Sequence, residues 1–210
     1  MIDAYILIGG RSSRFGSDKA IAEIGGQTMA ERALTTTREA LSESRVAFVA
    51  RNEAQFAIEA IRLGAPFIFD LIEGRGPLGG LHAALADARS TWIFVMACDY
   101  PFVPPAFIRL MSEMISDEYG AVAPVQSDGR MQPLCAFYNV VKTRPLIDKI
   151  IERPRVPPPM HEIVHELSPL TVNYSEYSLL PDAEMMFVNI NSPSDLTDAV
   201  KIERKLSAEK

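Results

Sequence analysis

Apolar runs of five or six residues alternate along the first half of the chain with longer stretches whose apolar positions recur every three or four residues. Ala4–Ile8, Val46–Ala50, Ala65–Phe69 and Trp92–Ala97 are continuous rather than alternating, the pattern of strands covered on both faces. Between them Met29–Leu41, Ala54–Leu63 and Leu78–Ala88 have helical spacing. Strand–helix–strand repetition predicts an α/β fold with a mostly parallel sheet, and right-handed crossovers put helices on both of its faces. The second half is less regular. Pro104–Ile115 is expected to be a helix with proline in its first turn. Ala121–Val125, Leu134–Tyr138, Leu170–Tyr174 and Met186–Ile190 are strand candidates, and Lys142–Ile151 and Ser194–Lys205 are helix candidates. Ser192-Pro193-Ser194-Asp195 marks a helix start. Four prolines between Glu152 and Pro159 forbid regular helix there and predict a surface connection or flap.

No repeat, low-complexity tract or shift in composition interrupts the 210 residues, so a single domain over residues 1–206 is expected, with a frayed tail at 207–210. Hydrophobic content of 48% and charged content of 23% are those of a globular chain with a sizeable core. The net charge of −6 argues against a nucleic-acid surface, which needs a basic face, but leaves room for a local positive pocket. No apolar stretch approaches the roughly 20 residues of a membrane helix. The first residues lack the basic start of a signal peptide. Cys98 and Cys135 lie in apolar surroundings and read as buried thiols. A cytoplasmic protein with no nucleic-acid or membrane partner is expected.

The chemistry begins where the first strand ends. Gly9-Gly10-Arg11-Ser12-Ser13-Arg14-Phe15-Gly16-Ser17-Asp18-Lys19 brings glycine, arginine, serine and lysine together at close spacing. Glycines let backbone N–H groups approach a ligand, and successive N–H groups form an anion-binding concavity to which Arg14 and Lys19 add charge. A polyphosphate suits it, although neither the Walker A spacing nor G-x-G-x-x-G is present; the plain alternative is a polar turn. In open α/β sheets ligands bind beyond the carboxyl ends of the strands. Asp70 and Asp99 each follow a strand candidate, so two carboxylates converge on the positive loop. Mg²⁺ is commonly held by one or two carboxylates together with substrate phosphates, and Asp99 is the candidate ligand. The alternative for both is a turn or helix cap. Gly79 and Gly80 open a helical pattern where close approach of a base or phosphate, or simply a turn, would use them.

These pieces together resemble the MobA family of molybdenum cofactor guanylyltransferases, within the larger nucleotidyltransferase superfamily. Leu7-Ile8-Gly9-Gly10-x-x-x-Arg14-Phe15-Gly16-x-Asp18-Lys19 is similar to the superfamily signature L-A-G-G-x-x-x-R-M-G-x-D-K. Gly76-Pro77-Leu78-Gly79-Gly80, Cys98-Asp99-Tyr100-Pro101-Phe102-Val103, Asp128-Gly129-Arg130-x-Gln132-Pro133-Leu134 and Phe187-Val188-Asn189-Ile190-Asn191-Ser192-Pro193 resemble family blocks in the same order, and the last two favour MobA over sugar-nucleotide relatives. The resemblance implies a three-layer, Rossmann-like nucleotidyltransferase fold with a mixed, mostly parallel sheet. It implies GMP transfer from GTP to the phosphate of molybdopterin, with Mg²⁺, or Mn²⁺ in its place, as cofactor. Other molybdenum cofactor biosynthesis proteins or target apoenzymes are implied partners. By the same resemblance Leu7, Ile8, Gly9 and Gly10 line the nucleotide, helped by Gly79 and Gly80. Arg14 and Lys19 hold phosphates, Asp99 binds the metal and Asp70 contacts the nucleotide. Arg130, Gln132, Asn189 and Asn191 face the pterin. Ile8 and Phe15 depart from the family's alanine and methionine. Asn52 is a counterpart of the family's base-reading asparagine, or a helix cap before Ala54.

Within the superfamily the alternatives are cytidylyl transfer and transfer to a sugar phosphate. From outside it, His161-Glu162-Ile163-Val164-His165 matches H-E-x-x-H, the zinc-peptidase pattern, with Glu184 or His82 as candidates for a third ligand. Its other reading is a short exposed helix with an apolar Ile163/Leu167 face. A protein that binds nucleotide without turnover is a third possibility.

Overall fold

The central strands are as apolar as the sequence requires because both of their faces are covered. The computed structural model describes residues 2–8, 19–51, 63–72, 74–153 and 156–208. Gly9, Gly10, Arg14, Asn52 and most of the expected helix Ala54–Leu63 lie outside these. Within them β1 (Asp3–Leu7), β4 (Val46–Ala50), β5 (Phe67–Phe69), β6 (Trp92–Ala97), β7 (Ala121–Pro124), β8 (Cys135–Asn139) and β9 (Leu170–Val172) form a seven-stranded sheet of order β5-β4-β1-β6-β8-β7-β9. All pairings are parallel except those of β8, which runs against both β6 and β7. The mixed, mostly parallel sheet expected from the sequence is therefore present.

Side chains of β1 divide by alternation. Ala4 and Ile6 join Phe48, Phe94 and Phe137 in one core; Tyr5 and Leu7 join Val49, Val95 and Tyr138 in the other. Helices α1 (Met29–Ala40) and α3 (Pro105–Glu113) cover the first face. On the second lie α2 (Pro77–Asp87), α4 (Val140–Ile151) and the seven-residue α5 (Met160–Glu166). Gly120 shows how closely the second layer sits. Its N–H donates to Leu167 O at 3.0 Å, and a Cβ on it would come within 2.9 Å of Leu167 Cβ and closer still to the Leu167 carbonyl. Gly120→Ala is therefore expected to destabilise the fold by about 3 kcal/mol, read as a lowered urea midpoint with unchanged slope.

Two expectations fail. Met186–Ile190 is not a strand: Met186, Phe187 and Ile190 are buried, but Val188 N–H bonds to Met185 O in a turn and the sheet edge is taken by β9. The strand expected over Leu170–Tyr174 stops at Val172, because Asn173 and Glu176 form a capping box that starts α6 (Tyr174–Tyr177). Two further features were not anticipated. Glu23–Ile24 (β2) and Gln27–Thr28 (β3) form a hairpin across Gly25-Gly26, both at positive φ. Helix α7 (Pro193–Ala208) runs on beyond Lys205. No helix of the described residues is long and apolar enough to cross a membrane. Cys98 and Cys135 are both buried, as expected.

Candidate active site

From β1 the chain steps to β4 and β5 on one side, then returns to lay β6 on the other. The ends of β1 and β6 thus flank a topological switch point, where open α/β sheets bind ligands. The ladder continues past both strands: Ile8 N–H donates to Val49 O at 3.0 Å and Cys98 N–H to Leu7 O at 3.1 Å. Leu7 and Ile8 are buried.

Asp99 follows directly. Its side chain is only 13% exposed. Oδ2 accepts from Lys19 Nζ at 2.8 Å, whereas Oδ1 is buried with no hydrogen-bond partner among the described residues. Asp99 does sit in a turn, but the helix-cap alternative does not hold, since the next helix, α3, is capped at Pro104 and the Asp99 carboxylate bonds no backbone N–H of the described residues. A buried carboxylate oxygen left without a partner is costly and calls for an explanation. A hard cation supplies one, because Mg²⁺-type ions seek such oxygens. Lys19 opens a short 3₁₀ turn, Lys19–Ile21, and also donates to Asn191 Oδ1 at 3.2 Å. Ile190 N–H bonds the Asp99 carbonyl at 3.2 Å. One lysine and one backbone bond thereby join three segments distant in sequence. Below Asn191 the expected helix start is built: Asp195 Oδ2 accepts from the N–H groups of Asn191 and Ser192, and Ser192 Oγ accepts from Asp195 N–H.

Asp70 stands at the end of β5, its N–H bonded to Ala50 O at 3.0 Å. Its Oδ2 lies 3.5 Å from where a Cβ on Gly79 would sit, and a Cβ on Gly80 would come within 3.1 Å of Leu7 Cδ2. The paired glycines are buried in the first turn of α2 and let that turn close on β1 and on Asp70. Burial pushes the Asp70 carboxyl up to about 6, with Arg51 pulling weakly the other way. The folded protein therefore holds this proton more tightly than the unfolded chain, and ionising it costs stability as pH rises from about 3.8 to about 6. Asp70→Asn is expected to raise Tm above about pH 6, with the gain vanishing toward about pH 4, in melts across that range.

Arg130 and Gln132 lie on the connection between β7 and β8. Gln132 is half-buried and its Oε1 accepts from the Tyr100 hydroxyl at 2.8 Å. Arg130 is exposed and pairs with Asp128 at 2.6 Å, and its backbone N–H and guanidinium together hold the Asp128 carboxyl below its usual range. Asn189 is exposed. Lys19, Asp99 and Asn191 are thus brought into contact, Asp70 meets the Gly79 turn and Leu7 meets Gly80. Arg130 and Asn189 make no hydrogen bond to that cluster among the described residues. The sequence reading missed Tyr100 and the Lys19–Asn191 bond; only the position of Tyr100 next to Asp99 signalled the first.

In α5, Ile163 and Val164 are buried while His161, Glu162 and His165 are exposed. Among the described residues no three His, Cys, Asp or Glu side chains gather as a metal site, and His82 pairs instead with Asp148 at 3.3 Å. The exposed-helix reading of the H-E-x-x-H segment is the one the structure bears out.

Residues 4–156 match the MobA-like NTP transferase domain family. A protein of Pelotomaculum thermopropionicum named probable molybdenum cofactor guanylyltransferase is 38% identical over 199 residues, spanning 92% of this chain and 89% of the relative. A Bacillus cereus protein of the same name is 30% identical, spanning 93% and 94%. Among solved structures, molybdopterin-guanine dinucleotide biosynthesis protein A from Archaeoglobus fulgidus is similar with a TM-score of 0.78 at 27% identity, covering 97% of this chain and 100% of that one.

Proposed function

The chain belongs to the MobA-like NTP transferase family, and from that membership we propose that it moves GMP from GTP to the phosphate of molybdopterin. Pyrophosphate leaves and a molybdopterin guanine dinucleotide forms. The observation that carries this reading is the Asp99 carboxylate at the switch point, with one oxygen on Lys19 and the other, buried, awaiting a partner.

In the transfer a phosphate oxygen of molybdopterin forms a bond to the α-phosphorus of GTP while the bond to the bridging oxygen of pyrophosphate breaks. The attacking group is already ionised, so general-base work is minor. Positioning and charge stabilisation supply the rate. A divalent ion, which we take to be Mg²⁺ held by Asp99, supplies neutralisation of phosphoryl charge when bound. Lys19 neutralises Asp99 before substrate arrives and lies within reach of a triphosphate laid across the end of β1. Arg14 adds a second cation to the phosphates. The main chain of Leu7, Ile8, Gly9 and Gly10 walls the nucleotide, while Asn52 reads the base and Asp70 accepts a hydrogen bond from it. Gly79 and Gly80 shape the wall beside Leu7 and Asp70. Asn189, Asn191, Arg130 and Gln132 face the pterin. The proposed setting is the cytoplasm, with other molybdenum cofactor proteins or target apoenzymes as partners.

The test is pyrophosphate release from GTP, CTP and UTP in turn, with molybdopterin as acceptor. Release from GTP well above the other two supports the assignment. Preference for CTP would make it a cytidylyltransferase, and GTP binding without release would make it a non-catalytic nucleotide binder.

A further inference from the structure

Next to Asp99, the buried phenol of Tyr100 has a hydroxyl that no step above uses. The ring is fixed edge-on against Phe187 with centroids 5.8 Å apart, and Phe187 is in turn held edge-on against Phe107. An ordinary phenol is protonated at neutral pH, so the hydroxyl is a donor. It donates to Gln132 Oε1 at 2.8 Å. The main chain of Gln132 is also pinned: its N–H donates to Pro124 O at 2.9 Å and its carbonyl accepts from Cys135 N–H at 3.2 Å. Gln132 Nε2 has no partner among the described residues. An amide side chain has one accepting end and one donating end. With the accepting end held by a rigid tyrosine, the orientation of the two donors is set as well.

The sheet order says what those donors face. Strands β1 and β8 lie on opposite sides of β6, and Asp99 follows β6. If the nucleotide lies over the end of β1, in-line displacement keeps attacking and leaving oxygens on opposite sides of the phosphorus. The acceptor then comes from the β8 side of Asp99, where Gln132 stands. Oxygen atoms of a phosphate and the carbonyl and ring nitrogens of a pterin are acceptors that an NH₂ group suits.

We propose that Tyr100 is a positioning residue for the acceptor substrate: its hydroxyl locks the Gln132 amide so that the NH₂ end is presented to acceptor oxygens beside Asp99. This rests on the guanylyltransferase reading. It also separates the roles of adjacent residues, Asp99 serving the metal and phosphates and Tyr100 serving the acceptor through Gln132.

Steady-state kinetics on the full chain, with GTP and molybdopterin varied separately, test it through a double-mutant cycle. Tyr100→Phe keeps the ring and its Phe187 contact and removes one hydrogen bond. It is expected to raise KM for molybdopterin about fivefold, leaving kcat and KM for GTP within about twofold. Gln132→Ala is expected to raise the same KM about tenfold. In the Gln132→Ala background Tyr100→Phe should add nothing, because its effect runs through the amide. Gln132→Glu retains an oxygen for the tyrosine but presents no NH₂ group, and should weaken molybdopterin as much as Gln132→Ala. An unchanged KM for molybdopterin in Tyr100→Phe, a shift in KM for GTP instead, or an undiminished effect in the Gln132→Ala background would overturn the role. Failure of the wild-type chain to release pyrophosphate from GTP with molybdopterin would contradict the functional reading itself, and with it this assignment.

Discussion

Asp99→Asn should leave a folded protein that has lost its metal-dependent turnover, with kcat/KM down by about a thousandfold. The amide has the shape of the carboxylate and can still accept from Lys19 on one oxygen, so circular dichroism and Tm should change little. It has no anionic oxygen to offer in place of the buried, unpartnered Oδ1. A buried oxygen left without a hydrogen bond carries a desolvation cost that a bound ion would relieve. Raising Mg²⁺ or replacing it by Mn²⁺ should recover little of the loss. Retention of wild-type turnover would remove Asp99 from the metal role and leave its orphaned oxygen without a function.

The second large effect is expected at Lys19. Lys19→Ala should lower kcat/KM by about a hundredfold, with weaker GTP binding, because a charge-assisted donor to phosphate is lost at a site where charge develops. The same variant carries a signature of opposite sign. Lys19 is the only partner of the Asp99 carboxylate among the described residues, at 2.8 Å, so it competes with any cation for that group. With the lysine gone, the divalent ion alone should bind more tightly, as seen in a Mn²⁺ titration without nucleotide. A drop in affinity for both metal and GTP would indicate general disruption of the turn instead.

Periodicity alone defined β4 and β6 to the residue, Val46–Ala50 and Trp92–Ala97, because strands buried on both faces are written as unbroken apolar runs. The same rule misled at Met186–Ile190. That run is apolar since Met186, Phe187 and Ile190 fill the core, yet burial does not require a ladder, and the segment is tied down by one bond to the Asp99 carbonyl. Two misses were written in local chemistry that hydrophobic period does not register. Gly25-Gly26 between the short pairs Glu23-Ile24 and Gln27-Thr28 is a hairpin signal, and Asn173-x-x-Glu176 is a capping box.

At the site, the principle that ligands gather beyond strand ends selected Asp99 and Asp70 as strand-end carboxylates, the charged loop after the first strand brought in Lys19, and a family block brought in Asn191. What no linear reading could give was the contact between Lys19 and Asn191, which are separated by most of the chain and meet only because Ile190 docks on the Asp99 turn. Tyr100 was passed over for a related reason. Its importance lies in an oxygen of Gln132, on a neighbouring strand connection, and a tyrosine beside an aspartate in sequence says nothing of that. The zinc-peptidase motif failed in the complementary way: the spacing is present, but the helix presents its histidines outward.

The most direct measurement is a crystal structure of the protein with GTP, or a non-hydrolysable analogue, and Mg²⁺. The account predicts a triphosphate over the ends of β1 and β6, with the ion on Asp99 Oδ1 and Lys19 turned onto phosphate. Nucleotide density elsewhere on the sheet, with Asp99 still bonded only to Lys19, would contradict it.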